Sequence, residues 1–240
     1  MRLLRHALRD RPLFRGPAIR LRMLLQPPRS TGGVLFLMYH RLPARHGPAF
    51  ARQLRWLRDA GELVGVGDAL ASLSAPAGSG LRICLTVDDG WQDAVPALLA
   101  AAVPAALFVP SDWVGQAGRV SWDELRLLTA AGMTVGSHSA SHARLARLGP
   151  AAAWDEMQRS RDAFTRELGQ ACHHFAAPFG QPGEDFLLAR DPALARAARY
   201  RSFFTTVARR AAAGPDPFVL PRVRMEPHWG QNEIAYALWR

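Results

Sequence analysis

The chain has few cysteines and no long apolar stretch, and each shortage excludes a class of protein. Its 240 residues contain only two cysteines, Cys84 and Cys172, which are too few for a disulfide framework. No uninterrupted apolar run approaches the ~20 residues that a membrane-spanning helix requires. Charges also interrupt any apolar core of a secretory leader near the N-terminus. We therefore expect a protein of a reducing compartment, the cytoplasm, without a spanning helix.

Residues 31–240 carry little net charge. The formal net charge is +10 and the pI is near 11.2, but residues 1–30 hold eight arginines and one aspartate, a net +7. The remaining body is close to neutral, which argues against a basic groove for nucleic acid. Arginines and leucines of residues 1–30 fall on different helical faces. This basic N-terminal arm is therefore expected either to lie on the inner membrane face or to pack on the folded domain.

Residues 31–240 are predicted to form one α/β domain. With 49% hydrophobic residues, the chain is long enough for a single large core. Short β-rich runs alternate with helical segments, which is typical of a parallel sheet, and roughly seven such units favour a barrel over an open sheet. Residues 121–124 have the pattern of a capping box, and a longer helix is predicted over 151–168. The predicted strands are 34–39, 82–88, 105–109, 133–137, 174–177, 202–207 and 218–223.

Two adjacent carboxylates, Asp88 and Asp89, end the predicted strand 82–88. In parallel α/β barrels, the residues that carry out chemistry lie at the C-terminal ends of the strands. Neighbouring carboxylates repel each other, so their burial requires a cation or hydrogen-bond donors nearby. A simple turn is the alternative interpretation, because Asp-Asp-Gly is also a good turn sequence.

Two histidines, His138 and His142, follow the predicted strand 133–137. Side chains four residues apart point the same way if the loop makes one helical turn. One carboxylate and two histidines form a facial ligand set that leaves coordination positions open for water and substrate. Because both motifs fall at the ends of barrel strands, the sequence predicts a metal centre there.

These segments resemble a known family. The stretches TVDDG (86–90) and HSASH (138–142) are similar to the first two motifs of the polysaccharide deacetylases, the NodB-homology group of carbohydrate esterase family 4. The stretches MYHR (38–41), FAAPFG (175–180) and LPR (220–222) resemble the bacterial cell-surface polysaccharide branch. The resemblance implies an irregular (β/α)7 barrel, related to the TIM barrel, that removes N-acetyl groups from sugars. It also implies a divalent metal, with Zn²⁺ first and Co²⁺, Ni²⁺, Mn²⁺ or Fe²⁺ as alternatives.

The resemblance implies roles for individual residues. Asp88 corresponds to the general base, and the metal ligands correspond to Asp89, His138 and His142. The backbone N–H of Phe179, between Pro178 and Gly180, corresponds to a donor for the oxyanion. Trp91 is a candidate platform for a sugar ring, with packing inside a loop as the alternative.

The chain also departs from the family pattern. Many members have an arginine where this sequence has Ala176, so the group that orients Asp88 must come from elsewhere. Arg222 is the candidate, and a salt bridge at the barrel rim is the alternative. The general acid is expected to be His228, with His40 as the competitor.

The expected substrate is an N-acetylated sugar in lipopolysaccharide or exopolysaccharide biosynthesis. The expected cytoplasmic location favours a lipid-linked or nucleotide-linked precursor, or a nascent polysaccharide. Two alternatives stay open at this point. The same barrel could hydrolyse another carbon–nitrogen or ester bond, in a formamide, an O-acetyl group or a non-sugar amide, or it could be a non-catalytic metal-binding scaffold.

Overall fold

The computed structural model describes residues 32–74, 80–211 and 216–239. The predicted arm at 1–30 lies outside these ranges, so its contact with a membrane stays a prediction. The middle of the predicted surface loop, 75–79, also lies outside them. Among the helices that are described, none combines the length and the apolar character needed to cross a membrane.

A curled sheet of parallel strands forms the centre of the fold. Its spatial order is β7-β6-β5-β4-β3-β1-β8, and the short β2 pairs with the start of β3. A parallel bridge between Phe204 and Leu220 joins the β7 edge to the segment before β8, which curls the sheet into the predicted irregular (β/α)7 barrel. The strands are β1 (Gly33–Tyr39), β2 (Glu62–Leu63), β3 (Leu81–Asp88), β4 (Ala105–Val109), β5 (Thr134–Ser137), β6 (His174–Ala176), β7 (Ser202–Phe204) and β8 (Val223–Arg224).

Helices cover the outer face of the sheet. Alternate residues along β1 belong to different clusters: Leu35 and Leu37 pack in the layer between sheet and helices, whereas Phe36 packs in the second cluster with Phe108 and Phe204. The rings of Phe36 and Phe108 each lie 5.1 Å from that of Phe204. The helices are α1 (Gly47–Ala60), α2 (Val66–Ser74), α3 (Ala94–Ala101), α4 (Trp122–Ala130), α5 (Pro150–Leu168), α6 (Asp191–Ala197) and α7 (Gln231–Trp239).

The secondary-structure predictions were most accurate where a few neighbouring residues determine the structure. The capping box at the start of α4 is confirmed, with reciprocal hydrogen bonds between Ser121 and Glu124. Both closing strands were predicted with wrong bounds. The strand β7 ends at Phe204, and the strand predicted over 218–223 overlaps β8 (Val223–Arg224) only at Val223. Pro221 has no N–H to contribute to a ladder, and the Arg222 N–H donates to the Val207 carbonyl. The barrel therefore closes through individual backbone hydrogen bonds and not through two long paired strands.

Candidate active site

The two carboxylates lie at the C-terminal end of β3. Asp88 is the last residue of the strand and is buried, whereas Asp89 leaves the strand with a left-handed φ of 70°. This backbone turn breaks the alternation of a strand, so both carboxylates face His138. The Nε2 atom of His138 lies 3.9 Å from Asp88 Oδ2 and 3.6 Å from Asp89 Oδ1.

His138 and His142 converge on Asp89, but not through a helical turn. Residues 138–142 form an irregular loop in which Ser139 and His142 have φ values of 62° and 65°. The predicted helical turn is therefore wrong, and left-handed backbone at two positions brings the rings within 4.8 Å of each other. His142 Nε2 lies 3.3 Å from Asp89 Oδ1. Non-glycine residues with positive φ cost free energy and are often found at functional sites.

Asp89, His138 and His142 could together hold a metal ion. Their ligand atoms all lie within 4.8 Å of one another. The Nδ1 of His138 is 2.7 Å from the Ala176 carbonyl oxygen, which can only accept, so Nδ1 carries the proton and Nε2 presents its lone pair to the cluster. Burial lowers the pKa of His138 to about 4, which keeps the ring neutral. Two neutral imidazoles and one carboxylate suit zinc and other first-row divalent ions.

Arg222 holds Asp88 in place from the other side of the barrel. Its Nη1 and Nη2 atoms donate to the two Asp88 oxygens at 2.6 and 2.7 Å, and both side chains are buried. The guanidinium is itself fixed by Thr86 Oγ1 at 3.1 Å and by the Thr205 carbonyl at 3.0 Å. Burial alone would raise the pKa of Asp88, but Arg222 and His138 lower it below the usual range. Asp88 is therefore an oriented carboxylate anion.

The segment Pro178-Phe179-Gly180 forms a tight turn beside the histidines. The Gly180 N–H donates to the Pro178 carbonyl at 2.6 Å across Phe179, which has a φ of 60°, the signature of a strained γ-turn. The Phe179 ring lies 4.7 Å from that of His142. Within the described ranges, the Phe179 N–H has no hydrogen-bond acceptor. A backbone donor is thus available next to the candidate metal centre.

Trp91 also borders the cluster. Its indole Nε1 is 3.4 Å from Asp89 Oδ2, so the ring stands against a candidate metal ligand. The indole is half-buried and contacts the guanidinium groups of Arg41 and Arg119, whose central carbons lie 4.6 and 3.5 Å from the ring centre. The structure thus places Trp91 at the site, with its ring already in contact with two cations.

The two candidate acids occupy different positions. His40 directly follows β1, whose Tyr39 pairs with Val87, so His40 continues the register beside Asp88. Burial alone would raise the pKa values of Asp88 and Asp89, but both values are lowered, and the His40 charge is among those that lower them. His228 is exposed, and its ring packs 5.4 Å from that of His46. The structure therefore places His40, and not His228, next to the two carboxylates.

Glu156 supports the histidine loop and was missed from the sequence. This residue of α5 is buried, and its Oε2 accepts from the N–H groups of Ala140 and Ser141 at 3.0 and 2.8 Å. Its Oε1 accepts from Ser141 Oγ at 2.8 Å. A signal was present, because Glu156 falls on the same helical face as the buried Ala153 and Ser160. A carboxylate on a buried helix face requires partners, and these partners lie between His138 and His142.

Comparisons with known proteins agree with this geometry. Residues 77–195 match the family model described as polysaccharide deacetylase. The protein YxkH of Bacillus subtilis (strain 168), which carries a provisional polysaccharide deacetylase name, is 25% identical over 214 residues. That match covers 85% of this chain and 74% of YxkH.

Solved structures show the same fold. The Streptococcus pyogenes deacetylase PplD has a TM-score of 0.74 and 21% identity, with 88% of this chain and 100% of that chain covered. IcaB from Ammonifex degensii has a TM-score of 0.72 and 25% identity, with 86% and 97% covered. Family model, relative and fold agree with the motifs at the barrel mouth: the chain belongs to the polysaccharide deacetylase family.

Proposed function

We propose that this protein is a metal-dependent hydrolase that removes N-acetyl groups from a sugar of a bacterial surface polysaccharide or lipopolysaccharide. One observation carries the proposal. The buried, arginine-bound Asp88 carboxylate stands 3.9 Å from His138, a member of the Asp89, His138 and His142 ligand set. A scaffold that only bound a metal would have no need for an ionised carboxylate beside it, and its burial would cost stability.

Asp89, His138 and His142 would hold the metal. When bound, a divalent ion there supplies Lewis acidity for an amide carbonyl and lowers the pKa of a coordinated water. The nitrogen-rich donor set favours Zn²⁺, with Co²⁺, Ni²⁺, Mn²⁺ and Fe²⁺ as alternatives.

Asp88 is proposed to act as the general base. Each of its oxygens accepts one hydrogen bond from Arg222, and a carboxylate oxygen has a second lone pair. Arg222 therefore fixes the plane of the carboxylate while leaving it able to take a proton from the attacking water. The lowered pKa keeps Asp88 ionised at neutral pH, which is the form that accepts protons.

The backbone N–H of Phe179 is proposed to stabilise the tetrahedral oxyanion. The turn at Pro178-Phe179-Gly180 presents this donor without an acceptor among the described residues. Gly180 is required for the turn because a Cβ there would lie 2.8 Å from the Thr206 backbone nitrogen. One such donor is typically worth about 10²–10³ in kcat.

We propose His40 as the acid that protonates the departing amine. In a parallel pair of strands, residues in register point to the same side, so the side chain after Tyr39 shares the barrel face of Asp88. His228 remains the alternative expected from the sequence. Its exposed position against His46 gives it no contact with the cluster among the described residues.

Replacing His40 by glutamine is expected to lower kcat by about 10²-fold, the low end for loss of a general acid. Replacing His228 by glutamine should change kcat by less than about threefold. Steady-state acetate release over a range of pH checks this, since loss of the acid should also remove the alkaline limb of the profile. The assignment fails if His228→Gln is the more damaging change.

Replacing Glu156 by leucine is expected to weaken metal binding by about 10–100-fold, as for other groups that support metal ligands. Leucine is of similar size but has no oxygen that can accept from the Ala140 and Ser141 N–H groups, so the loop between the histidines loses its anchor. Competition with a chelator of known affinity measures the effect. Glu167→Leu at the end of the same helix is the control, and equal affinities in the two variants would contradict the positioning role.

The proposed substrate is a lipid-linked or nucleotide-linked precursor, or a nascent polysaccharide, handled in the cytoplasm at the inner membrane face. The expected location and the net charge of the arm support this proposal. Cell fractionation tests the location, and removal of residues 1–30 tests whether the arm carries any membrane binding.

The bond that is cleaved can be tested with matched substrates. The metal-loaded protein should release acetate and expose one amine per turnover from N-acetylated chito-oligosaccharides. An N-formyl sugar and an O-acetylated xylo-oligosaccharide serve as the competing substrates. A higher kcat/KM for either competitor would replace N-deacetylation by deformylation or ester hydrolysis.

A further inference from the structure

A stack of alternating guanidinium and indole groups lies beside the candidate metal centre. Trp91 contacts both Arg41 and Arg119, and Arg119 in turn lies over both Trp91 and Trp113, at 3.5 and 4.2 Å from the two ring centres. Trp113 continues the stack onto His142, with ring centres 4.8 Å apart. Arg119 is thus connected to a candidate metal ligand through a single aromatic ring.

Arg119 differs from the other arginines of this rim in its partners. Arg41 forms an ion pair with Asp93 at 2.8 Å, and Arg144, which packs over Phe179, forms one with the buried Asp185. Within the described ranges, no carboxylate lies at ion-pair distance from Arg119. Its Nη1 donates at 2.9 Å to the backbone oxygen of Asp89, whose carboxylate faces the histidines and Trp91. A positive charge therefore stands at the site without a carboxylate partner among the described residues.

The geometry of Arg119 suits an anion in the plane of its guanidinium. Two indoles pack against the guanidinium and restrict its rotation, while its N–H groups, apart from the bond to Asp89, meet no acceptor among the described residues. A planar, pre-oriented fork binds phosphate or carboxylate through two parallel hydrogen bonds.

We propose that Arg119 binds an anionic oxygen group of the substrate, a phosphate ester or a carboxylate, carried by the reacting N-acetyl sugar or by its immediate neighbour. The anion must lie close to the reacting N-acetyl group because Arg119 contacts the backbone of Asp89, a candidate metal ligand. This inference rests on the proposed deacetylase function and narrows its substrate class. A neutral homopolymer of N-acetyl sugars would leave the Arg119 charge uncompensated.

Three substrates test the proposal: methyl N-acetylglucosaminide, N-acetylglucosamine 1-phosphate, and the disaccharide of N-acetylglucosamine with glucuronic acid. The wild type should prefer one or both anionic substrates. The substrate that is preferred shows whether the site binds phosphate or carboxylate. Arg119→Gln should lower the ratio of anionic to neutral kcat/KM by at least about tenfold. Arg119→Lys keeps the charge without the fork and should give an intermediate ratio.

Arg196→Gln is the control, since Arg196 also stacks on an aromatic ring, Phe218, but is exposed and forms an ion pair with Asp216. Its ratio should equal that of the wild type. A general disturbance of the site by Arg119→Gln would lower all three rates together and leave the ratio unchanged, which would overturn the proposal.

A binding experiment separates this inference from the proposed function. Calorimetric titration of N-acetylglucosamine 1-phosphate into Asp88→Asn protein, with and without Arg119→Gln, requires no turnover. Binding that is at least about tenfold weaker in the double variant supports the anion site. If the wild type also releases no acetate from any of the three substrates, only the deacetylase function is overturned. Equal affinities, together with acetate release that shows no anionic preference, would overturn the anion site and leave deacetylation standing.

Discussion

Replacing Asp88 by asparagine should lower acetate release by about 10³-fold or more, within the range for loss of a general base. Asparagine has nearly the same shape and can still accept from Arg222 through its carbonyl oxygen, but it cannot take a proton from water. The proposed metal ligands Asp89, His138 and His142 are unchanged, so metal content should stay the same. The loss should appear in kcat with intact metal stoichiometry, measured on the same protein sample.

The control for this change is Asp162→Asn, which removes an exposed carboxylate of α5 that accepts from Gln158 and lies 3.9 Å from Arg161. Its kcat should stay within about twofold of the wild type. An Asp88→Asn protein that keeps its metal and more than a tenth of its activity would show that another group takes the proton.

Replacing Arg222 by methionine is expected to cost about 3–5 kcal/mol of the free energy of unfolding, the range for breaking a buried ion pair by removing one partner. Methionine fills part of the volume but leaves the Asp88 charge buried without its two donors, and Thr86 and the Thr205 carbonyl lose theirs. Urea unfolding at neutral pH in the presence of a chelator measures the effect without a contribution from bound metal.

The pH dependence identifies the cause of that destabilisation. In the wild type the pKa of Asp88 is lowered, so the stability from the pair is present above the unfolded pKa and is lost only as the pH falls through the folded value. In Arg222→Met the unpaired, buried carboxyl should have a raised pKa. Acidification then protonates it and removes the buried charge, so the stability difference between the two proteins should shrink as the pH falls from 7 towards 5.

A second variant tests whether Asp88 is the group responsible. In an Asp88→Asn background there is no buried carboxylate, so Arg222→Met should cost less than it does in the wild type. A cost that is equal in both backgrounds and independent of pH would assign the loss to packing, and Arg222 would then have no positioning role through Asp88.

The cluster of carboxylates and histidines was predictable because it depends on local sequence and one topological rule. Each motif directly follows an apolar strand, and parallel strands bring their C-terminal ends to the same edge of the sheet. Asp88, Asp89, His138 and His142 therefore meet whatever the details of the helices between them. The conformation of residues 139–142 was not predictable, because left-handed φ at Ser139 and His142 has no glycine to signal it.

The support of the site depends on contacts between distant segments. Arg222 reaches Asp88 across 134 positions of sequence, and only the closure of the barrel through Leu220 decides where its guanidinium lies. The choice between His40 and His228 similarly depends on strand register, which a single sequence does not specify. Glu156 contacts the loop through two backbone N–H groups and the Ser141 hydroxyl, so the residue type at Ala140 carries no trace of the interaction.

The most direct test of the candidate metal centre is a titration of chelator-treated protein with Zn²⁺. Acetate release from an N-acetylated chito-oligosaccharide is recorded at each step. We predict that release is negligible without metal and rises linearly to a plateau at one equivalent. The same titration of His138→Ala should show no tight plateau, because one of the three ligands is lost. Equal acetate release by the wild type with and without metal would contradict the account.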